Sequence, residues 1–580
     1  MYKDKPLVSI DIFDTAVFRD VYTPKEVFQV IENKVHNDFS KLRVEAQARA
    51  GRINPNFNIL DIYNLLPAKF SLKDEIMAEI QGTYANPNIL DLYKNNRDRY
   101  DFIFISDMYF PSSVLRVLLE HAGYKDPVVF VSCEEGCGKS TGKLFLKVQE
   151  KLGRKISKHI GDNLRADIEG ARKAGIPETE YVGPAVYNKE VVTPPLQNPK
   201  LRKFLIDKEL SDSPIEEKIG YIFAPLTLAF TQYVLGKATD KQTIFFNSRD
   251  SFLMYIIARW ILKTEKKIKY CRFSRMSCLF SDIRTEVPLT HQRNRTSFIF
   301  LRSRQVQNLN DFLKLLNLPY KSTIESTLKH YGMDLDSSLL LRGDKNQILE
   351  KITLCYQNEL YEKVKKEKKN FLKYLKKIGI QDNDMLVDIG YKGTIQSIIK
   401  RLADINLKGE YIYLCTDLFN DGCQKDSYLP LDSRNLFIGG ILEIVFTEPV
   451  GSVVSYTDSG QPILHKDLKF RKEISKKLIK GVLKGCKELY KKGIELNLKD
   501  CENLLHRYVN NPTLEEATFN NQKLFENGSN EAESAVVFNE ALLREGRIRD
   551  CYRKSCWKAA FLVLLKNSQE FKHLIGSISK

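Results

Sequence analysis

Three aspartates stand just beyond apolar runs in distant parts of the chain: Asp11 in "LVSIDIFDT" (7–15), and Asp162 and Asp167 in "HIGDNLRAD" (159–167). Ser106 and Asp107 close another such run, "DFIFISD" (101–107), and Lys139 follows soon after "PVVFVS" (127–132). These are the groups needed around a phosphoryl centre. A carboxylate can attack phosphorus, and further carboxylates can hold Mg2+, whose charge lets two anions approach. A lysine offsets the charge spread over the phosphoryl oxygens, while hydroxyls such as those of Thr15 and Ser106 hold them in place. Taken singly, each residue has a plainer reading: a strand-end aspartate caps a helix, and a lone lysine sits on a solvated face. The ordered set, each member after an apolar run, carries the chemical reading.

Such a set works only if the runs end side by side. Residues 7–13 read as a buried strand, 24–98 as mainly helical, and 101–107 and 127–132 as two further strands. A helix around "GKLFLKVQEKLG" then leads to a fourth strand before "HIGDN". Strands separated by helices predict a parallel sheet with its reactive residues at the carboxyl edge. The glycine of "HIGDN" allows a tight turn that brings Asp162 toward a metal.

The four motifs together resemble the haloacid dehalogenase superfamily, most of whose members are Mg2+-dependent phosphatases working through an aspartyl-phosphate. The resemblance covers about the first third of the chain. It implies an α/β Rossmannoid domain over 1–190 with a helical cap at about 20–98, inserted after the first strand. It implies Asp11 as nucleophile, Thr15, Ser106 and Lys139 around the transferred group, and Mg2+ held by Asp11, the Phe13 carbonyl, Asp162 and Asp167. Phe13 departs from the pattern. Family phosphatases carry an aspartate there that protonates the leaving oxygen, a transfer typically worth about 10^2 to 10^4 in rate. Asp14 is adjacent, but neighbours on an extended stretch point to opposite sides. Three outcomes follow: a phosphatase with a good leaving group or a substitute acid, another aspartyl-ester reaction, or a site that only binds.

Residues 191–215 are polar and proline-containing and read as a linker. Beyond them 216–460 reads as a second α/β domain. "FFNSRD" and "DIGYKGTIQ" are both strand ends running into turns and helices. Arg249, Arg272 and Arg275, with Asp388, Gly390, Gly393, Thr394 and Gln396, would form an anionic-ligand pocket there, since arginines match phosphate and helix starts offer N–H groups. The plainer reading is tight turns, with the arginines paired to carboxylates such as Asp250 and Asp388. Residues 461–580 read as mainly helical. The whole layout resembles predicted hydrolases associated with bacterial surface-polysaccharide biosynthesis. This implies a cytoplasmic phosphoester hydrolase acting on a sugar-phosphate or nucleotide-sugar, with a glycosyltransferase or the inner membrane face as candidate contacts. The alternatives are a non-catalytic ligand-binding or scaffold protein, and a glycan-directed transferase with its site in the second domain.

A chain of 580 residues is too long for one hydrophobic core. Its 43% hydrophobic and 28% charged content is that of a globular protein, and no apolar run reaches the length of a spanning helix. The strand-like start leaves no room for a leader peptide. Eleven cysteines without CxxC pairs read as reduced thiols. Much of the +17 net charge lies in lysine-rich helical segments, 361–377 and 471–492. In the second, Ile474, Leu478, Val482, Cys486 and Leu489 make one apolar stripe. Aromatic residues do not alternate with the basic ones, so nucleic acid is not an expected partner.

Overall fold

β1 (Leu7–Ile10) is buried on every residue, as a strand with neighbours on both edges and helices on both faces must be. The computed structural model to which it belongs describes residues 5–35, 38–182, 191–279, 281, 308–316, 318–339, 344–415, 421–429, 442–443, 445–465, 469–521, 525–526, 534–535, 552, 555 and 557–567. The chain divides into two compact units, Met1–Ser211 with Ile494–Asp500, and Asp212–Gly493 with Cys501–Lys580.

In the first unit β1 is followed by β2 (Val17–Arg19) and β3 (Thr83–Ala85), which pair antiparallel with each other. Then come β4 (Asp101–Ser106), β5 (Val129–Val131), β6 (Ile156–Gly161) and β7 (Glu178–Tyr181). They complete a parallel sheet in the order β5-β4-β1-β6-β7. The chain leaves β1 in one direction through β4 and β5 and returns to its other side for β6 and β7. A crevice therefore opens at the carboxyl end of β1. Val8, Ile10 and Phe104 face the helices Pro87–Asn96 and Ser112–His121, while Leu7, Ile103 and Ile105 face the helix Lys143–Leu152. The alternation is that of a sheet covered on both sides.

Four helices, Glu26–Val35, Phe39–Ile53, Ile59–Tyr63 and Leu72–Gln81, stand between β2 and β3 as the cap. Val21, Phe28, Ile31, Phe39 and Phe70 give it a core of its own. Arg43 and Glu75, both fully buried, pair through two bonds of 2.7 Å. Helix Pro87–Asn96, with proline in its first turn and Asn86 as its cap, packs Ile89 and Tyr93 on the sheet. Within 191–215, Pro199–Glu209 forms a helix capped by Asn198, and Asp500 accepts from the N–H groups of Gln197 and Asn198.

The second unit is built on β8 (Ile244–Asn247), β9 (Ile268–Cys271), β10 (Met385–Asp388), β11 (Lys408–Tyr411) and β12 (Lys425–Ser427). All are parallel, in the order β12-β11-β10-β8-β9. The strand order reverses between β8 and β10, the second such switch point in the described sheets and the place where open α/β sheets bind ligands. Two helices of 23 residues, Ile215–Lys237 and Lys469–Lys491, pack so closely that a Cβ on Gly220 would lie 2.7 Å from the Leu478 carbonyl oxygen. The first is long and apolar enough to cross a membrane by length and composition, and 78% of its apolar window is buried inside the protein. Of the stripe predicted in the second, Leu478, Val482, Cys486 and Leu489 are buried and Ile474 is half-buried. Leu498–Asn510, Leu514–Asn521 and Lys558–Asn567 continue the helical C-terminal region. Much of the expected helical stretch past residue 521 lies outside the described residues.

Candidate active site

Asp11 is the first residue past β1, and its N–H donates to the Ile160 carbonyl at 2.9 Å, so β6 fixes its backbone. After β6, Gly161 leads to Asp162. The Asn163 side chain caps the following turn by accepting from the N–H groups of Arg165 and Ala166. That turn folds Asp167 back, and its Oδ2 accepts from the Asn163 N–H at 2.9 Å. Only glycine fits at 161, because a Cβ there would stand 2.4 Å from the Asp167 Cβ. Lys139 arrives from the loop before the helix Lys143–Leu152. Both oxygens of Asp107 accept from its N–H, at 3.0 and 3.1 Å. Its ammonium lies between two carboxylates, donating to Asp11 Oδ1 and, at 2.5 Å, to Asp167 Oδ1.

Asp11, Asp162 and Asp167 each offer an oxygen, and these lie within 4.8 Å of one another. Three carboxylates and one ammonium leave two negative charges uncompensated when all are ionised. Burial, reinforced by Asp167 and Asp162 against the opposing pull of Lys139, pushes Asp11 up to about 8. Burial together with Asp14 and Asp167 raises Asp162 to about 6. Asp167 goes the other way: despite burial, Lys139 and His159 hold it below the usual carboxylate range. An all-oxygen carboxylate set with two negative charges to spare suits a hard divalent cation such as Mg2+. Asp11 and Asp162 each keep an oxygen with no protein donor among the described residues. Both oxygens of Asp167 already accept from the protein, so its evident work is to hold Lys139.

Thr15, fully buried, donates its hydroxyl to Asp162 Oδ1 at 3.1 Å. Ser106 ends β4, one strand from Asp11, and its hydroxyl makes no hydrogen bond among the described residues. Phe13 is covered: the Arg19 guanidinium lies 3.9 Å above its ring. Arg19, 6% exposed, is itself held by Glu79, with Nε to Oε2 at 3.0 Å. Asp14 has a φ of +62° and sits in a turn closed by its N–H to the Val17 carbonyl. The strand-like alternation expected there therefore does not apply. Its charge bears on both Asp162 and Arg19.

Two participants gave no sequence signal. His159 is fully buried in β6, with burial as the main cause lowering its pKa, so the ring is neutral. Its Nε2 lies 3.3 Å from Asp167 Oδ1 and its Nδ1 2.8 Å from the Ser9 hydroxyl. The ionised Asp167 accepts, which puts the ring proton on Nε2 and leaves Nδ1 to accept from Ser9. A histidine in an apolar strand gains this role only through the β1–β6 register, where Ser9 lies opposite it. Arg19 likewise acts through Glu79, sixty residues away in the chain.

In the second unit, Arg249 and Asp250 follow β8, Asp388 ends β10, and Gly390 and Gly393 lead to the helix Thr394–Ala403, with Gly393 at φ +65°. Arg272 is engaged by Glu448 through two bonds of 2.5 and 3.0 Å. Gln396 donates to the carbonyls of Leu407 and Gln424 and accepts from Tyr411. Thr394 is the half-buried first residue of its helix, and Arg275 is exposed at the start of Arg275–Leu279.

No protein-family model matches the chain, and no curated protein sequence matches it. Solved structures similar to part of it include an HAD phosphatase from Thermococcus onnurineus, with 19% identity over 30% of this chain and 85% of that one and a TM-score of 0.24. Another is the putative HAD-hydrolase YfnB from Bacillus subtilis, a structure bound to magnesium, with 18% identity, 30% and 88% coverage and a TM-score of 0.23. A hydrolase from Pseudomonas syringae gives 13% identity, 30% and 84% coverage and a TM-score of 0.22. At these identities the chemistry of the site stands on its own side chains.

Proposed function

We propose that the first unit is a metal-dependent phosphoester hydrolase with Asp11 as nucleophile. The observation that carries this reading is the Lys139 ammonium held between Asp11 and Asp167, with an Asp162 oxygen within 4.8 Å of theirs. A carboxylate oxygen of Asp11 forms a bond to phosphorus as the bond from phosphorus to the leaving oxygen breaks. Water then cleaves the aspartyl-phosphate and restores the carboxylate. Lys139 offsets charge on the phosphoryl oxygens, and the Ser106 hydroxyl is available to donate to one of them. Thr15 and Asp167 act one step away, orienting Asp162 and Lys139. Mg2+, held by Asp11, Asp162 and the Phe13 carbonyl, would supply the positive charge that lets the anionic ester approach Asp11.

Phe13 provides no proton, so the preferred substrates are those whose leaving group departs readily as an anion, such as aryl or acyl phosphates. The test is hydrolysis of p-nitrophenyl phosphate with Mg2+ by wild type and D11N, with an acid quench and mass spectrometry for a phosphoryl adduct on Asp11. Wild type should turn over and form the adduct, and D11N should do neither while keeping its thermal midpoint. Equal activity in D11N would remove Asp11 from the mechanism. One observation favours a second reading, a protein that binds phosphate esters without cleaving them: a ring beneath a buried ion pair stands where a proton donor is needed. That reading prevails if wild type binds the ester by calorimetry and turns over no aryl or acyl phosphate.

A further inference from the structure

The second unit brings three carboxyl groups together at or past the ends of its strands, Asp388 buried and Asp250 and Glu443 half-buried. Asn247 and Asp388 are the last residues of β8 and β10, on either side of the point where strand order reverses. Asn247 Nδ2 donates to Asp388 Oδ2 at 2.8 Å, which ties the two strand ends together. Among the described residues the Asn247 amide oxygen has no hydrogen-bond partner, on a residue that is 2% exposed. Asp250 accepts from the Thr447 hydroxyl at 2.9 Å, and Glu443 accepts from the Tyr391 hydroxyl at 3.2 Å. Burial raises both Asp388 and Glu443, and Asp250 raises each further. Among the described residues two arginines act on this group through their charge. Arg275 bears electrostatically on Asp388 and Glu443, and Arg249 on Glu443.

A fold gains nothing from bringing three carboxyl groups and an unsatisfied amide oxygen to one crevice, because each is better solvated in water. Ion pairing alone does not account for it. The Arg249 guanidinium reaches the Val450 carbonyl at 3.4 Å, and Arg275 is exposed. Arg272, which would extend the basic side, is spent on Glu448. A bare anion would meet three carboxyl groups here, and a bare cation would meet two arginines. A ligand that presents hydroxyl donors at one end and a phosphate at the other satisfies both sets. Its hydroxyls reach the carboxyl groups and the Asn247 oxygen, and its phosphate reaches the guanidinium forks.

We propose that the crevice between β8 and β10 is a second ligand site, formed by Asn247, Arg249, Asp250, Arg275, Asp388 and Glu443, and that it takes a hydroxyl-rich phosphate ester. The site is independent of the Asp11 centre and stands whether or not that centre turns over.

Hydrogen exchange read by mass spectrometry on the full-length protein tests it, because the signal is local. Glucose 1-phosphate and ribose 5-phosphate are the probes, with glucose, ribose and inorganic phosphate as their separate halves. A saturating ester should slow exchange several-fold in segments 248–252 and 389–394, and neither half alone should match it. R275Q, at an exposed position, should weaken that protection by about tenfold in apparent affinity while the thermal midpoint is checked alongside. Protection confined to the loops carrying Asp11, Lys139 and Asp162 would overturn the proposal. So would equal protection by inorganic phosphate alone, unchanged affinity in R275Q, or no protection by either ester.

Discussion

At position 13 the chemistry turns on a contact that no motif announces. A phenyl ring there lies under Arg19, whose charge is taken up by Glu79. Replacing the ring with the missing acid is the obvious repair, yet the new carboxylate would sit within reach of that guanidinium and be drawn to it. F13D alone should therefore do little for alkyl phosphates, and F13D combined with R19Q and E79Q should do more, as kcat/KM on a poor leaving group would read. A single F13D that fully restores such activity would show that Arg19 does not compete. The raised carboxyls set the pH dependence. Asp162 at about 6 and Asp11 at about 8 must both be ionised to hold Mg2+, so affinity should fall as pH drops from 8 to 5.5. Binding in that range should release protons, seen by calorimetry in buffers of different ionisation enthalpy. The sign for stability follows from the same shifts. The folded state keeps these protons above the ordinary carboxylate range, so without metal their contribution falls as pH rises from about 4 to 8. Asp167 acts oppositely, and its stabilisation is lost only as pH falls through the acid range.

Among the elements, strand ends were the most legible part, because apolar runs that stop at Asp11, Ser106 and Gly161 mark both the sheet and its reactive edge. Helical periodicity found the cap but could not say which layer a helix joins. Pro87–Asn96 has the same amphipathic character as the cap helices yet packs on β1 and β4. His159 and Arg19 were unreadable for a related reason, since their roles depend on strand register and on a partner across the cap. Gly161 shows how tightly the elements fix the site. G161A would drive a methyl group into Asp167, and with it displace the group that holds Lys139. Mg2+ affinity measured by calorimetry should drop at least tenfold, and G175A, which strains a backbone at φ +77° in open space without touching Asp167, is the control for a general effect on the fold. Wild-type affinity in G161A would mean that Asp167 does not support the metal site.

For the molecule as a whole, both tryptophans, Trp260 and Trp557, belong to the second unit. Tryptophan fluorescence therefore follows that unit alone, while far-ultraviolet circular dichroism follows both. If Mg2+ binds at Asp11 and Asp162, it should raise the urea midpoint of a dichroism transition and leave the fluorescence transition in place. Coincident shifts in the two signals would count against a metal site confined to the first unit. The close glycine contact between Ile215–Lys237 and Lys469–Lys491 reaches beyond the finished fold. More than two hundred residues separate the two helices, so the apolar one leaves the ribosome long before its cover exists. At about 5–20 residues per second that interval is roughly 10–50 s. For that time the nascent chain displays a segment resembling a membrane insert, and its safe passage depends on whatever shields it during translation.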